Sequence, residues 1–209
     1  LGRYAAADIP PLAFAFLRWL GACFIILPFA WEDLRADWPV IRAHLPLMAA
    51  LSATGIAGYN ALAYWGLSYT EADNALAVQS TGPLLIAIWG WGLWGDKLST
   101  AQLFGILTSL TGVLVIITRG DFAHLAELRL NPGDILTFVA LVLYGLYAAL
   151  IRTRPAITQL SFLGATIIGG ALLLSPFAPG EFLAGHGINV TPASLTVLAY
   201  VAVFASLIA

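Results

Sequence analysis

Charge is what this 209-residue sequence lacks. Nine Lys and Arg and eleven Asp and Glu make up only 10% of it, against about 25% in an ordinary soluble domain. Apolar residues reach 60%, and mean hydropathy is +0.90. A soluble globule cannot hide that much apolar surface, so lipid must be the solvent. The net charge of −2 provides no basic footprint, which leaves nucleic-acid binding unsupported. Cysteine is nearly absent as well. The lone Cys23 excludes an internal disulfide, and its apolar setting marks it as a packed core residue. The chain opens at Leu1 and ends within the apolar run Val197–Ala209, so a piece of a longer protein is expected.

Catalytic signatures are missing too. There is no H-E-x-x-H, no Cys/His cluster, no G-x-S-x-G and no Gly-rich phosphate loop followed by Lys. His44, His124 and His186 all fall in loops. Glu32, Asp33, Glu71, Asp73, Asp96 and Asp134 fall in loops or at span ends. An intramembrane hydrolase or acyltransferase needs a paired acid or base at depth. Neither an enzyme nor a cofactor or metal site is expected.

What is present begins with a repeat. Sliding Leu12–Ala30 onto Leu160–Ala178, 148 residues on, makes six of nineteen positions identical: Leu12/Leu160, Phe14/Phe162, Gly21/Gly169, Pro28/Pro176, Phe29/Phe177 and Ala30/Ala178. A span needs about 20 mostly apolar residues. Seven candidates emerge: A, Pro11–Trp31; B, Leu45–Tyr69; C, Asn74–Gly95; D, Leu98–Thr118; E, Asp134–Ile151; F, Ile157–Ala178; and G, Ala193–Ala209. The repeated copies are A and F. Five steps separate them, and an odd offset makes them cross in opposite directions. Inverted repeats of this kind mark secondary transporters. Completing both halves requires one helix before A and two after G, giving an all-α polytopic bundle of two inverted five-helix units. Residues 1–131 would be the first unit and 132–209 the start of the second.

Short links at Thr70–Asp73, Asp96–Lys97 and Arg152–Ala156 make consecutive spans antiparallel neighbours. Turn and cap residues fill the longer links: Asp37-Trp38-Pro39, Asn131-Pro132-Gly133-Asp134 and Asn189-Val190-Thr191-Pro192. One face receives Arg35, Arg42, Lys97, Arg152 and Arg154; the other receives Arg3, Arg119 and Arg129. Five against three places the A–B, C–D and E–F loops in the cytoplasm. Trp31, Trp38, Trp91 and Trp94 lie near span ends, where an aromatic belt belongs.

Polar residues within hydrocarbon nominate a site, because each is costly unless paired or facing water. In B, Ala53, Ala57, Asn60 and Tyr64 share a helical face, as in a helix lining a cavity; Asn60 could equally bond a neighbouring helix. In C, Leu76, Gln79, Ser80 and Pro83 share a face, and Pro83 leaves the Gln79 carbonyl without its usual partner. Gln79-Ser80-Thr81-Gly82-Pro83 is then a broken, polar stretch suited to a substrate, or an ordinary proline kink. In E, Thr137, Tyr144 and Tyr147 supply phenols suited to an amphipathic solute, or to packing. The stripe Gly105, Ser109 and Gly112 in D is read as close helix packing, with no solute role. Arg18, the one charge well inside a span, is read as structural, within snorkelling reach of the interface. The substrate-binding candidates are therefore Asn60, Tyr64, Gln79, Ser80, Tyr144 and Tyr147.

Gly82-Pro83 before an apolar helix, Gly95-Asp96-Lys97-Leu98-Ser99, Gln102-Leu103-Phe104-Gly105-Ile106-Leu107 and Gly112-Val113 together resemble the EamA domain of the drug/metabolite transporter superfamily. Arg18 is similar to an Arg in that family's second helix. Tyr64-Trp65-Gly66-Leu67 through Asn74-Ala75 is similar to its third-to-fourth helix junction, and Tyr144, Tyr147 and Arg152 to an aromatic–aromatic–Arg pattern in its sixth. Asp96 stands where the family usually has Glu. The resemblance covers helices two to eight of ten. It implies two EamA repeats around a central cavity lined in part by B, C, E and G, with Tyr200 and Ser206 of G as weaker candidates. It also implies export of small metabolites, often amino acids or related compounds. The expectation is a multi-pass carrier of a bacterial inner membrane, embedded in lipid, with a small-molecule substrate. A membrane scaffold whose polar residues glue helices together is the alternative. A passive channel would need a continuous polar stripe, and the polar runs here are interrupted.

Overall fold

The computed structural model describes residues 9–70, 72–118, 131–183, 191, 196 and 198–202. Their elements are α1 (Pro11–Ala43), α2 (Leu45–Leu51), a π-helical segment (Ser52–Gly58), α3 (Tyr59–Leu67), α4 (Ala72–Gln79), α5 (Gly82–Trp94), α6 (Thr100–Thr118), α7 (Pro132–Leu150), a 3-10 turn (Ile151–Thr153), α8 (Gln159–Leu174) and α9 (Phe177–Leu183). Five stretches among the described residues are long and apolar enough to cross a membrane: Pro11–Ala43, Leu45–Leu67, Asn74–Trp94, Pro132–Thr153 and Gln159–Pro179. They correspond to A, B, C, E and F. Span D coincides with the 19-residue α6, and most of span G lies outside the described residues.

Contacts fix the directions. Asp37 meets Thr158, Ala30 and Leu34 meet Gly164, and Leu12 meets Glu181, so α1 and α8 run antiparallel. Tyr147, Leu143 and Thr137 pack in turn on Gly55, Gly58 and Gly66, making spans B and E antiparallel. Trp89 and Trp94 donate their indole N–H groups to Val142 O (3.0 Å) and Ala149 O (3.1 Å), so α5 and α7 run parallel. An odd step along the chain gives antiparallel helices and an even step parallel ones, as alternating crossings require.

The core is a seam between α1, the π segment and α8. Trp19, Ala22, Cys23, Ile26 and Ala30 interlock there with Ile56, Ala57, Ile167, Ala171 and Leu174. Small residues set how close the helices come. Gly66 faces Gly133 and Thr137 backbone to backbone, and a Cβ at either glycine would strike main-chain oxygen.

One local reading is corrected and two are narrowed. Asp37-Trp38-Pro39 is no turn: α1 runs through it to Ala43, with Pro28 and Pro39 inside the helix. Falling hydropathy after Trp31 ends the apolar part of the helix, but nothing there ends the helix itself. The break comes at His44, whose N–H donates to Val40 O (3.2 Å) and Ile41 O (3.1 Å) ahead of Leu45-Pro46. Among the described residues, nothing packs on the small-residue stripe of D. Gly105 and Gly112 have open space where a side chain would sit. Of the Ala53–Ala57–Asn60–Tyr64 face, Ala57, Asn60 and Tyr64 do turn together, toward α1, although i→i+5 bonding in Ser52–Gly58 holds more residues per turn than 3.6 ahead of Tyr59.

Other local signals hold. Asn131 caps α7 by accepting Asp134 N–H (3.0 Å), while Asp134 accepts Asn131 N–H (2.9 Å). Span C breaks between Gln79 and Gly82. Gly95 ends α5 at φ 70°, a conformation that favours glycine.

Candidate functional site

A cation is buried well inside the first span: Arg18, 8% exposed on α1. Its Nη1 donates to Asn60 Oδ1 (3.0 Å) and to Tyr64 OH (2.7 Å), one turn apart on α3. Its guanidinium lies 4.8 Å from the centroid of the Trp19 ring and 6.0 Å from that of Tyr64, and Phe14 meets Tyr64 edge-on at 5.1 Å. The Asn60 amide donates in turn to Ile56 O (2.8 Å) at the end of the π segment. Arg18 thus turns inward to α3 instead of snorkelling, and Asn60 and Tyr64 supply oxygens to it. Beside it, the buried Trp19 indole N–H has no acceptor among the described residues.

Across α3 lies a second assembly. Tyr59, next to Asn60 in sequence, faces α7, where its ring centroid sits 5.1 Å from Tyr144; Tyr144 is 6.1 Å from Tyr147. Tyr147 packs over Gly55 and joins the cluster of Ile41, Met48, Leu51 and Phe162. Tyr144 remains 39% exposed in the middle of α7. Three phenols therefore form a tilted aromatic wall with one open edge.

The break in span C sets out a third group. Gln79 is exposed at the end of α4. Ser80 Oγ donates to Ala77 O (2.6 Å) and Thr81 Oγ1 to Val78 O (2.7 Å), so both hydroxyls turn back onto the last turn of α4. The structure brings Asn60 to Tyr64 and Tyr144 to Tyr147, while Gln79 and Ser80 stand apart on their own element. Tyr200 is exposed and Ser206 lies outside the described residues.

Near one end of span E, the buried Asp134 accepts the Thr70 hydroxyl and the Asn74 amide (3.4 Å), tying the B–C link to the start of α7. Toward the other, Arg152 pairs with Asp96 on the surface. That pair rims a cavity of about 690 Å³ lined by Pro83, Ile86, Lys97, Gln102, Gly105 and Ser109 among others. A second cavity, of about 560 Å³, lies between α1, α2 and α8. None of the six candidate residues lines either one.

Tyr59 was missed by the sequence reading because a 3.6 period places it off the polar face of B. A phenol beside the Gly55 and Gly58 gaps, with two phenols one turn apart on E, was the available signal.

The EamA-like transporter family matches residues 1–118. The chain is 29% identical over 177 residues to an uncharacterised transporter, YyaM, of Bacillus subtilis, covering 83% of this chain and 57% of that protein. It is 25% identical over 205 residues to an uncharacterised transporter of Archaeoglobus fulgidus, covering 97% and 68%. It is 24% identical over 155 residues to a probable terminal-alkyne amino-acid exporter of Streptantibioticus cattleyicolor, covering 73% and 49%. The chain thus spans about half to two thirds of the length of these relatives. No solved structure matches it.

Proposed function

Since the chain belongs to the EamA-like transporter family, we propose that it forms part of a secondary carrier exporting small amphipathic metabolites, amino acids or related compounds, across a bacterial inner membrane. The observation that carries this reading is the phenol wall of Tyr59, Tyr144 and Tyr147, open at Tyr144 in mid-span. A phenol offers a flat apolar face and one hydrogen-bonding tip, which suits a solute with an apolar body and a polar end. Gln79, Ser80, Asn60 and Tyr64 complete the proposed substrate set. The protein would act by hydrogen bonding and aromatic contact, with no covalent chemistry.

Alternating access would come from two inverted halves, residues 1–131 and the unit beginning at 132, rocking against each other. Support for that symmetry lies in the helix starts: the N-cap of α1 is Pro10 and that of α8 is Thr158, 148 residues apart, which is the repeat offset. The amino-acid exporter among the relatives lends the substrate class its support.

A scaffold reading has one observation in its favour, since Asn60 and Tyr64 bond Arg18 across a helix interface. Reconstituting the full-length protein separates the two. Proteoliposomes loaded with amino acids should show counterflow of labelled amino acid. A scaffold shows none and instead brings down a membrane partner.

A further inference from the structure

The C-terminal part of α1 carries a feature outside the proposed substrate set. Trp31, Arg35, Trp38 and Arg42 are all exposed. Their spacing of four, three and four residues places them within an arc of ~60° at about 100° per residue. Arg35 lies 5.8 Å from the centroid of the Trp31 ring, so guanidinium and indole form one surface. Asp33 and Asp37 point to the opposite side of the helix, where Asp37 accepts Thr158 N–H (3.0 Å). Glu32 flanks the stripe. The stripe is therefore basic and aromatic along its length.

Beside it runs the cavity of about 560 Å³ between α1, α2 and α8. Trp31, Arg35 and Trp38 form its rim, and its walls are apolar: Leu27, Leu34, Met48, Ala49, Ile168 and Leu172. On α1 the lining runs from Leu27 to Ile41, about 20 Å at 1.5 Å per residue. That is a slot long enough for an acyl chain within one leaflet, where the hydrocarbon is about 15 Å deep.

We propose that this groove is a binding site for an anionic phospholipid of the leaflet on the Arg-rich side. Arg35 and Arg42 hold the headgroup phosphate, Trp31 and Trp38 sit at the headgroup boundary, and one acyl chain fills the groove. Charge selects this occupant. Arg35 at the rim of an apolar slot, with Arg42 two turns further along the same stripe, complements a phosphate attached to a hydrocarbon tail, whereas a neutral apolar helix would leave both without a counter-charge. Indoles at that level match their preferred depth in a bilayer. The site does not depend on what the chain carries.

The test uses the full-length protein, stripped of lipid in neutral detergent and titrated with phosphatidylglycerol or phosphatidylcholine. Retained lipid is counted by native mass spectrometry. Phosphatidylglycerol should bind preferentially, and each of Arg35→Gln and Arg42→Gln should weaken it roughly fivefold. Ala49→Phe, which fills the groove and leaves both arginines, should also weaken it, while Lys97→Gln, outside the site, should not. Variants eluting as a single species like wild type are folded enough to compare. Equal retention of both lipids, or wild-type retention by the double arginine variant, overturns the proposal. So does displacement by inorganic phosphate alone, which would reveal a phosphate site that ignores the tail, and so does insensitivity to Ala49→Phe.

Discussion

Glu181 accepts the N–H of Ala13 at 2.8 Å across 168 residues of chain, and that of Leu12 at 3.2 Å. At the other end of the same helix pair, Asp37 accepts Thr158 N–H at 3.0 Å. Each helix start is thus held by a carboxylate from its partner's far end, Asp37 from within the last two turns of α1 and Glu181 from α9 just past α8. Pro10 has no side chain able to cap α1, so Glu181 supplies the acceptor that helix lacks. Negative charge at both N-termini also complements the helix dipoles.

Removing these caps should loosen the α1–α8 pair. Glu181→Ala should cost about 0.5–2 kcal/mol, the usual worth of an N-cap. Asp37→Ala should cost less, because that carboxylate is exposed and screened by salt. The two sites lie at opposite ends of the pair, so their effects should add. Thermal unfolding of the single and double variants in detergent measures this, and a silent Glu181→Ala would contradict the capping role.

The Arg18 network makes a different prediction. Asn60→Leu removes an acceptor from a buried guanidinium, and bonds to charged groups are worth about 1.5–3 kcal/mol. Tyr64→Phe keeps the ring against Phe14 and loses only the hydroxyl, so it should cost less. Both should lower the melting temperature before they alter solute affinity. An Asn60→Leu variant with wild-type stability and weakened transport would leave Asn60 its proposed solute contact and remove its structural one.

These residues show what could be read in advance. The break at Gln79–Pro83 and the cap at Asn131 were legible because proline and asparagine act on their own neighbours. Tyr59 and Glu181 were not, since their partners come from helices packed against them, far along the chain. The π segment was hidden as well: its sequence, Ser52–Gly58, carries no mark that distinguishes i→i+5 from i→i+4 bonding. The shared P-F-A also hid a difference. α1 passes through Pro28, whereas α8 stops at Leu174 before Pro176. There Ser175 Oγ donates to Leu172 O at 2.7 Å, and the matching Leu27 has no hydroxyl to do so.

Orientation can be checked directly. The five-to-three distribution of Lys and Arg puts Arg42 and Arg154 on the cytoplasmic side and His124 opposite, the last outside the described residues. Cysteines introduced at Arg42 and Arg154 should be shielded from an impermeant thiol reagent in intact cells, and one at His124 should react. The native Cys23 is buried and should add little background. The reverse labelling pattern would invert the topology.

The substrate reading rests on separating solute contacts from helix contacts. Tyr144 is open at the edge of the phenol wall, and Gln79 is exposed at the break in span C. Neither side chain is committed to the core in the way Asn60 is, so truncating either should leave the fold intact. Each hydrogen bond given up to a solute should cost about 0.5–1.5 kcal/mol. Gln79→Ala and Tyr144→Ala in the full-length protein should therefore weaken transport roughly threefold or more, with expression and melting temperature unchanged. Tyr144→Phe keeps the apolar face and loses the tip, so it should fall between wild type and alanine. A Gln79→Ala, Tyr144→Ala double variant that transports normally would remove both residues from the site. The carrier would then have to bind its solute through groups elsewhere in the full-length protein.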